Sequence, residues 1–370
     1  MSARVARLRV HCVDVPLVRP FVTAVRRTEH VPAVLVEVVD TDGRSGWGEA
    51  AASWRVTGES PAGIAAAVGG PIRDAVHSLP VGDPGVWGPA VRRSVVGNAA
   101  ARSAVDCALW DLAAQEAGQP LAERLGGAAT EVETDMTLSA GAPEELLARA
   151  REHVQQGFTT IKVKVAGVAS DARALVLLRR ELGDEVVLRV DANQAWDVGE
   201  AVAVIRGWER AGVGLQLVEQ PVAAGDIEGM AAVRAAVDTR VLADESVWDT
   251  RDLLEVLRCS AADDVNIKLA KTGGLSEALA MVDLARGAGL GVVVGCMMES
   301  HVAVAASAAL ATTLDLATSG AQDLDSGLWL STSPVTGGLT YRGRVLEAMT
   351  APGLGIGGLA PGSAARELTA

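Results

Sequence analysis

The sequence predicts an α/β fold: a (β/α)8-type, modified TIM barrel with an N-terminal α+β capping domain that the C-terminal segment completes. Three observations carry this. Short β-rich runs recur at even spacing from Glu131 onward. Amphipathic stretches such as 142–156 and 199–211 separate them. Positions 1–127 follow a different, antiparallel rhythm. Strands alternating with helices in this way imply parallel pairing through right-handed crossovers, and seven or eight such units close into a barrel.

The runs are residues 131–140, 159–165, 186–193, 215–222, 240–246, 263–269, 291–298 and 316–325. An open doubly wound sheet is the alternative. It is weakened because no Gly-x-Gly-x-x-Gly loop follows the first run. Upstream, 4–13 and 31–39 alternate like strands, Asp40-Thr41-Asp42-Gly43 signals a hairpin turn, and 46–50 reads as the return strand. Residues 60–80 and 97–124 carry helical spacing. The divisions expected are a capping domain over 1–127, the catalytic barrel over 128–325, and a Gly- and Pro-rich segment over 326–370 that packs back on the cap.

Composition narrows the function. Apolar residues make up 49% and charged residues 21%, which suits a buried globular enzyme. A net charge of −13 with no basic stripe argues against a nucleic-acid partner. The longest apolar run, around 290–298, falls well short of the ~20 residues a bilayer span needs. The N-terminus alternates like a strand, unlike a signal peptide. Cys12, Cys107, Cys259 and Cys296 are far apart without a Cys-x-x-Cys pair. They suggest neither zinc nor disulfides, and a reducing cytoplasm fits.

The chemistry sits at the ends of consecutive runs. These read Ile161-Lys162-Val163-Lys164, Arg189-Val190-Asp191-Ala192-Asn193, Val218-Glu219-Gln220, Ala243-Asp244-Glu245 and Asn266-Ile267-Lys268. Charges inside apolar runs are costly unless paired or bound to a metal. Asp191, Glu219 and Asp244 each lie one βα unit from the next, so neighbouring strands deliver them to one mouth. Clustered carboxylates call for a cation, and hard oxygen donors select Mg²⁺ over zinc. Helix capping is the alternative for each acid alone. Asn193 and Glu245, beside these ligands, are expected to support them.

Lys162 and Lys164 share a strand face. Lys268 lies four βα units on from Lys164, and so across the mouth of an eight-unit barrel. A lysine base must shed its proton near neutral pH. Lys162 and the metal are the cations expected to lower its pKa. Salt bridges to the acids, or Schiff-base chemistry, remain alternatives for the lysines.

These segments, with Lys271-x-Gly273-Gly274 and Gly46-Trp47-Gly48-Glu49-Ala50, resemble the enolase superfamily in its muconate lactonizing enzyme subgroup, over nearly the whole chain. The resemblance implies that Asp191, Glu219 and Asp244 bind Mg²⁺, which holds the substrate carboxylate and stabilises the enediolate formed as the α-proton leaves. It also implies that Lys164 and Lys268 are the acid/base pair and that Lys162 steadies the carboxylate and depresses the pKa of Lys164. Two bases on opposite faces suit a 1,1-proton transfer. Cycloisomerases and dehydratases of the subgroup keep both lysines and can use one.

Asp323 and Asp325, at the end of the eighth run, share a face and suit an ammonium group. The pair resembles that of the dipeptide epimerases, where it receives a free α-amino group. A plain acidic loop is the alternative. Arg26 matches a capping-loop arginine that meets an acidic substrate side chain in alanyl-glutamate epimerases, with Arg27 one step away. Met297 and Met298 follow the seventh run and either line the pocket or fill the core. The reading is an isomerase epimerising small carboxylates, L-Ala-D/L-Glu-like dipeptides. An N-acylamino acid racemase or o-succinylbenzoate synthase is second, and a muconate-type cycloisomerase third. A non-catalytic magnesium- or dipeptide-binding barrel is the reading from another class. The resemblance is compatible with a homo-oligomer.

Overall fold

The structure is a computed structural model and describes residues 2–22, 27–167, 169–347 and 350–368. An antiparallel sheet of β1 (Val5–Val22), β2 (Arg27–Asp40) and β3 (Ser45–Ala51) opens the chain. Arg366–Glu367 adds to its β1 edge, pairing with His11 and Cys12. The β2–β3 turn is made by Asp40, whose Oδ1 accepts the Asp42 and Arg44 amides at 2.9 Å each.

Helix α1 (Ala99–Ala117) packs directly on β3. The approach requires glycine. A Cβ on Gly46 would stand 2.1 Å from the Ala108 carbonyl, and one on Gly48 2.0 Å from that of Ala104. The alternate face of β3 turns to the barrel. There the buried Glu49 carboxylate accepts the Ser300 hydroxyl at 2.6 Å and the Ser300 and Ala303 amides at 2.9 and 3.1 Å. The helical stretch expected over 60–80 is broken: Pro61–Ala67 and Arg73–Val76 flank a π-helical turn, Val68–Ile72. Pro71 lacks a donor, and Gly70 sits at φ −109°, ψ −107°, so a regular ladder cannot pass.

The barrel strands are β4 (Met136–Leu138), β5 (Thr160–Lys164), β6 (Val187–Asp191), β7 (Leu215–Glu219), β8 (Arg240–Ala243), β9 (Asp264–Lys268) and β10 (Gly291–Gly295). They run parallel in sequential order. The helices α2 (Pro143–Gln155), α3 (Ala169–Leu182), α4 (Val198–Arg210), α5 (Ile227–Ala236), α6 (Thr250–Cys259), α7 (Leu275–Ala288) and α8 (His301–Ala311) follow them in turn. Residues of β5–β9 that point outward, such as Ile161, Val190, Val241 and Ile267, are fully buried beneath the helices.

The ring closes without a full eighth strand. The expected run 316–325 instead makes a turn of helix at Leu316–Ser319, a short extended piece, and a 3-10 helix at Asp325–Trp329. The extended piece bridges both neighbours: Gln322 pairs with Thr134 and Asp323 with Gly295. Asp315 starts the helical turn by accepting the Ala317 amide, and Gly320 at φ 67° ends it. The first run also divides. Glu131–Glu133 pairs antiparallel with Val345–Glu347, and only Met136–Leu138 joins the barrel. No described helix is long and apolar enough to cross a membrane.

Candidate active site at the barrel mouth

Register sets the site. Lys164, Asp191 and Glu219 are Cα partners across β5, β6 and β7. Glu219 pairs with Leu242, so Asp244 rises two residues higher on the same inward face. Lys268 pairs with Gly295, and Gly295 with Asp323. A small apolar layer of Leu217, Leu242 and Val293 lies beneath the charged groups.

Lys162 is the hub. Its ammonium lies 2.6 Å from Glu219 Oε2, 2.8 Å from Asp323 Oδ2 and 3.3 Å from Asp191 Oδ2. Lys164 donates to Asp191 Oδ2 at 2.6 Å and to Asn193 Oδ1 at 3.1 Å. Lys268 donates to Asp244 Oδ2 at 2.7 Å and stands 3.8 Å from Glu219 Oε1. The two outer lysines therefore engage opposite ends of the acid set. Asn193 sits at φ 43°, its amide bonded to Asp191 and its side chain to Glu245 at 3.2 Å.

Burial penalises every charge here, and neighbours decide each outcome. Asp191 and Asp244 are held below the usual carboxylate range: burial opposes this, but Lys164 and Lys162 for the first, and Lys268 and Lys271 for the second, override it. Glu219 goes the other way, pushed up to about 8 by burial and then by Asp191. Lys162 and Lys268 oppose this rise, the second from 3.8 Å. The same contest sets the Lys268 pKa. Burial acts to lower it, but Asp244 and Glu219 hold it above the ordinary lysine value.

Among the described residues, no three His, Cys, Asp or Glu side chains already form a metal cage, because the ammonium groups stand between the acids. The donor set still fits a hard divalent cation. It offers carboxylate oxygens from three adjacent strand ends. Among the described residues, the buried Glu245 Oε2 beside these acids has no hydrogen-bond partner.

Asp323 and Asp325 are both buried, yet they differ. Asp323 pairs with Lys162, whereas Asp325 Oδ2 accepts the Thr137 amide at 2.8 Å and the Trp329 indole N–H at 3.1 Å. Met297 packs against the cap core that contains Ala50 and Ala51, and Met298 against the cluster around Trp47. Both are partly buried at the seam between cap and barrel. Arg26 lies outside the described residues.

Three groups quoted within the sequence motifs were given no role there. Lys271, fully buried, donates to Asp244 Oδ1 at 2.6 Å and also to the Asp244 carbonyl. Asn266 donates to Glu219 and Asp323. Gln220 accepts the Asp244 and Ser246 amides and so ties two strand ends together. Lys271 could have been found as a charge in the apolar stretch Leu269–Thr272, and Asn266 because it shares strand parity with Lys268.

Residues 145–357 match the family model described as enolase C-terminal domain-like. Residues 6–126 match the mandelate racemase / muconate lactonizing enzyme N-terminal domain. The chain is 38% identical over 359 residues to an L-Ala-D/L-Glu epimerase of Bacillus subtilis (strain 168), covering 96% of this chain and 98% of that protein. The solved substrate-liganded complex of the Bacillus subtilis L-Ala-D/L-Glu epimerase superposes with a TM-score of 0.93 at 38% identity, over 97% of this chain and all of that one. A dipeptide epimerase from Enterococcus faecalis V583, complexed with Mg and L-Leu-L-Tyr, gives 0.90 at 34% identity, over 96% and 99%. A barrel mouth of strand-end acids and lysines, and similarity across both domains, lead to one assignment: the chain belongs to the enolase superfamily, in the mandelate racemase / muconate lactonizing enzyme family.

Proposed function

We propose that this protein is a Mg²⁺-dependent dipeptide epimerase in the cytoplasm, inverting the carbon next to the substrate carboxylate, with L-Ala-D/L-Glu-like dipeptides favoured. The observation that carries the reading is the placement of Lys164 and Lys268 at opposite ends of the Asp191–Glu219–Asp244 set, each bonded to a different acid. The relatives' named activities and the Mg and dipeptide of the similar complex point the same way.

Asp191, Glu219 and Asp244 would hold the ion, with Asn193 and Glu245 fixing the outer ligands. The ion would supply charge stabilisation at the substrate carboxylate as the α-proton leaves. Lys162 adds a fixed positive charge beside it. One of Lys164 and Lys268, as the free amine, takes the α-proton; the other, as the ammonium, returns a proton to the opposite face. Asp244 and Glu219 now hold Lys268 protonated, and a cation drawing on the same oxygens would weaken that hold. Asp323 and Asp325 take the substrate's ammonium group, and Met297 and Met298 face its side chains. Arg26 is the residue proposed to meet an acidic side chain.

Proton NMR in D₂O with Mg²⁺ and a dipeptide panel tests this. Loss of the C-terminal residue's α-proton signal, with the other diastereomer appearing, is the expected result. Faster turnover of N-succinylamino acids than of any free-amine dipeptide would overturn the substrate assignment.

A further inference from the structure

On the barrel flank a cavity of about 470 Å³ lies between α2, the segment after the eighth position, and the end of β1. Arg19, Met136, His153, Phe158 and Trp329 line it. The Arg19 guanidinium lies 4.9 Å from the centre of the Trp329 ring, a cation–π contact. Its Nη2 is 2.8 Å from His153 Nε2. Arginine only donates, so that nitrogen of His153 must carry the lone pair. His153 Nδ1, 3.1 Å from Gln156 Oε1, then carries the hydrogen and donates it. One neutral tautomer makes both bonds. The Trp329 N–H, at the edge of the same ring, and the Thr137 amide both land on Asp325 Oδ2, which fixes how that carboxylate is turned. The backbone ties the same parts together: the Ser331 amide donates to the Pro16 carbonyl, and Leu17 bridges Leu330.

We propose that Arg19, His153 and Trp329 are positioning residues for the ammonium end of the substrate pocket. Neutral His153 holds Arg19 on Trp329, Trp329 holds Asp325, and protonation of His153 drives Arg19 off the ring and loosens Asp325. The proposal rests on the reading that Asp325 receives the substrate's ammonium group.

A protonated imidazole could not accept from Arg19 and would set two cations in contact. The groups facing His153 are Arg149, Glu152 and Gln156 from its own helix, Arg19 from β1, and the edge-on Phe158 ring at 5.8 Å. Burial lowers the imidazole first; Gln156 and Glu152 oppose this, while Arg19 and Arg149 add to it. The neutral form, and with it the relay, is therefore intact at neutral pH. It is lost only as pH falls below the ordinary imidazole value of about 6.5.

The test is the pH dependence of KM and kcat for L-Ala-L-Glu with Mg²⁺, in the wild type, His153→Gln, Arg19→Ala and Asp325→Asn, with thermal melting to confirm folding. The wild-type KM should rise roughly fivefold or more from pH 8 to pH 5, with a smaller change in kcat. His153→Gln keeps an acceptor but cannot titrate, so its KM should not follow pH. Arg19→Ala should hold KM high at every pH. Superimposable wild-type and His153→Gln profiles, with KM raised in Asp325→Asn, would overturn the relay alone. An unchanged KM in Asp325→Asn would overturn the ammonium reading on which it rests.

Discussion

Two sets of buried carboxylates divide this molecule. In the cap and along its seam with the barrel stand Glu49, Glu59, Asp106 and Asp111; at the mouth stand Asp191, Glu219, Asp244 and Asp323. The cap and seam acids are met mostly by neutral donors fixed in secondary structure. Glu59 accepts the Ala100 and Ala101 amides at the start of α1. Asp106 on α1 accepts the Ser276 amide and hydroxyl at the start of α7. Asp111 accepts the Trp47 and Leu354 amides. The mouth acids are met by the ammonium groups of Lys162, Lys164, Lys268 and Lys271. The same desolvation cost is offset in two ways. Fixed amides give rigidity and hold no exchangeable charge. Ammonium groups can lose a proton or give way to another cation. Buried acids alone would not have located chemistry; their partners do.

The largest expected effect lies at the mouth. Lys164→Ala or Lys268→Ala should lower kcat by about 10²–10⁴-fold without unfolding the protein, as steady-state assays and circular dichroism would show. Next is the cation. Saturating Mg²⁺, at about 100 times its Kd, should stabilise the wild type by about 2.7 kcal/mol and raise its melting temperature. Glu219→Gln should abolish most of that shift, and an undiminished shift would remove Glu219 from the ion's ligands. At the seam the pattern should invert. Glu49→Ala strands the Ser300 and Ala303 donors, so urea unfolding should report a loss of about 2–4 kcal/mol, with the Mg²⁺-induced shift preserved.

The smallest effect is a pH slope. Burial pushes Asp106 up to about 7 and Asp111 up to about 6. Raised carboxyls favour the protonated fold, so their contribution is full below the unfolded value of about 3.9 and fades as pH rises through the folded values. Between pH 5 and pH 8 the wild type should lose stability relative to Asp106→Asn by on the order of 2 kcal/mol, measured from denaturant midpoints. A parallel pair of curves would place Asp106 among ordinary ionised acids.

Much of this was legible because strand parity and βα spacing are local properties of the chain. A lysine or acid at each strand end already implied a shared mouth. The eighth position was illegible for a physical reason: its extended piece is held by one bridge to each neighbour, so only closure of the ring makes it part of the barrel. The division of the first run depends likewise on Val345–Glu347, which lies beyond the whole barrel in sequence. Asp323 and Asp325 look equivalent in sequence. Their difference arises from Lys162 on one side and Trp329 on the other, which local pattern cannot express.

The most direct test of the central claim, two lysines serving opposite faces of one carbon, is α-proton exchange in D₂O with Mg²⁺ for L-Ala-L-Glu and L-Ala-D-Glu, in Lys164→Ala and Lys268→Ala. Each variant should still wash out the α-proton of one diastereomer only, and the two variants should choose opposite ones. Loss of exchange for the same diastereomer in both variants, or retained exchange of both, would contradict the two-base assignment.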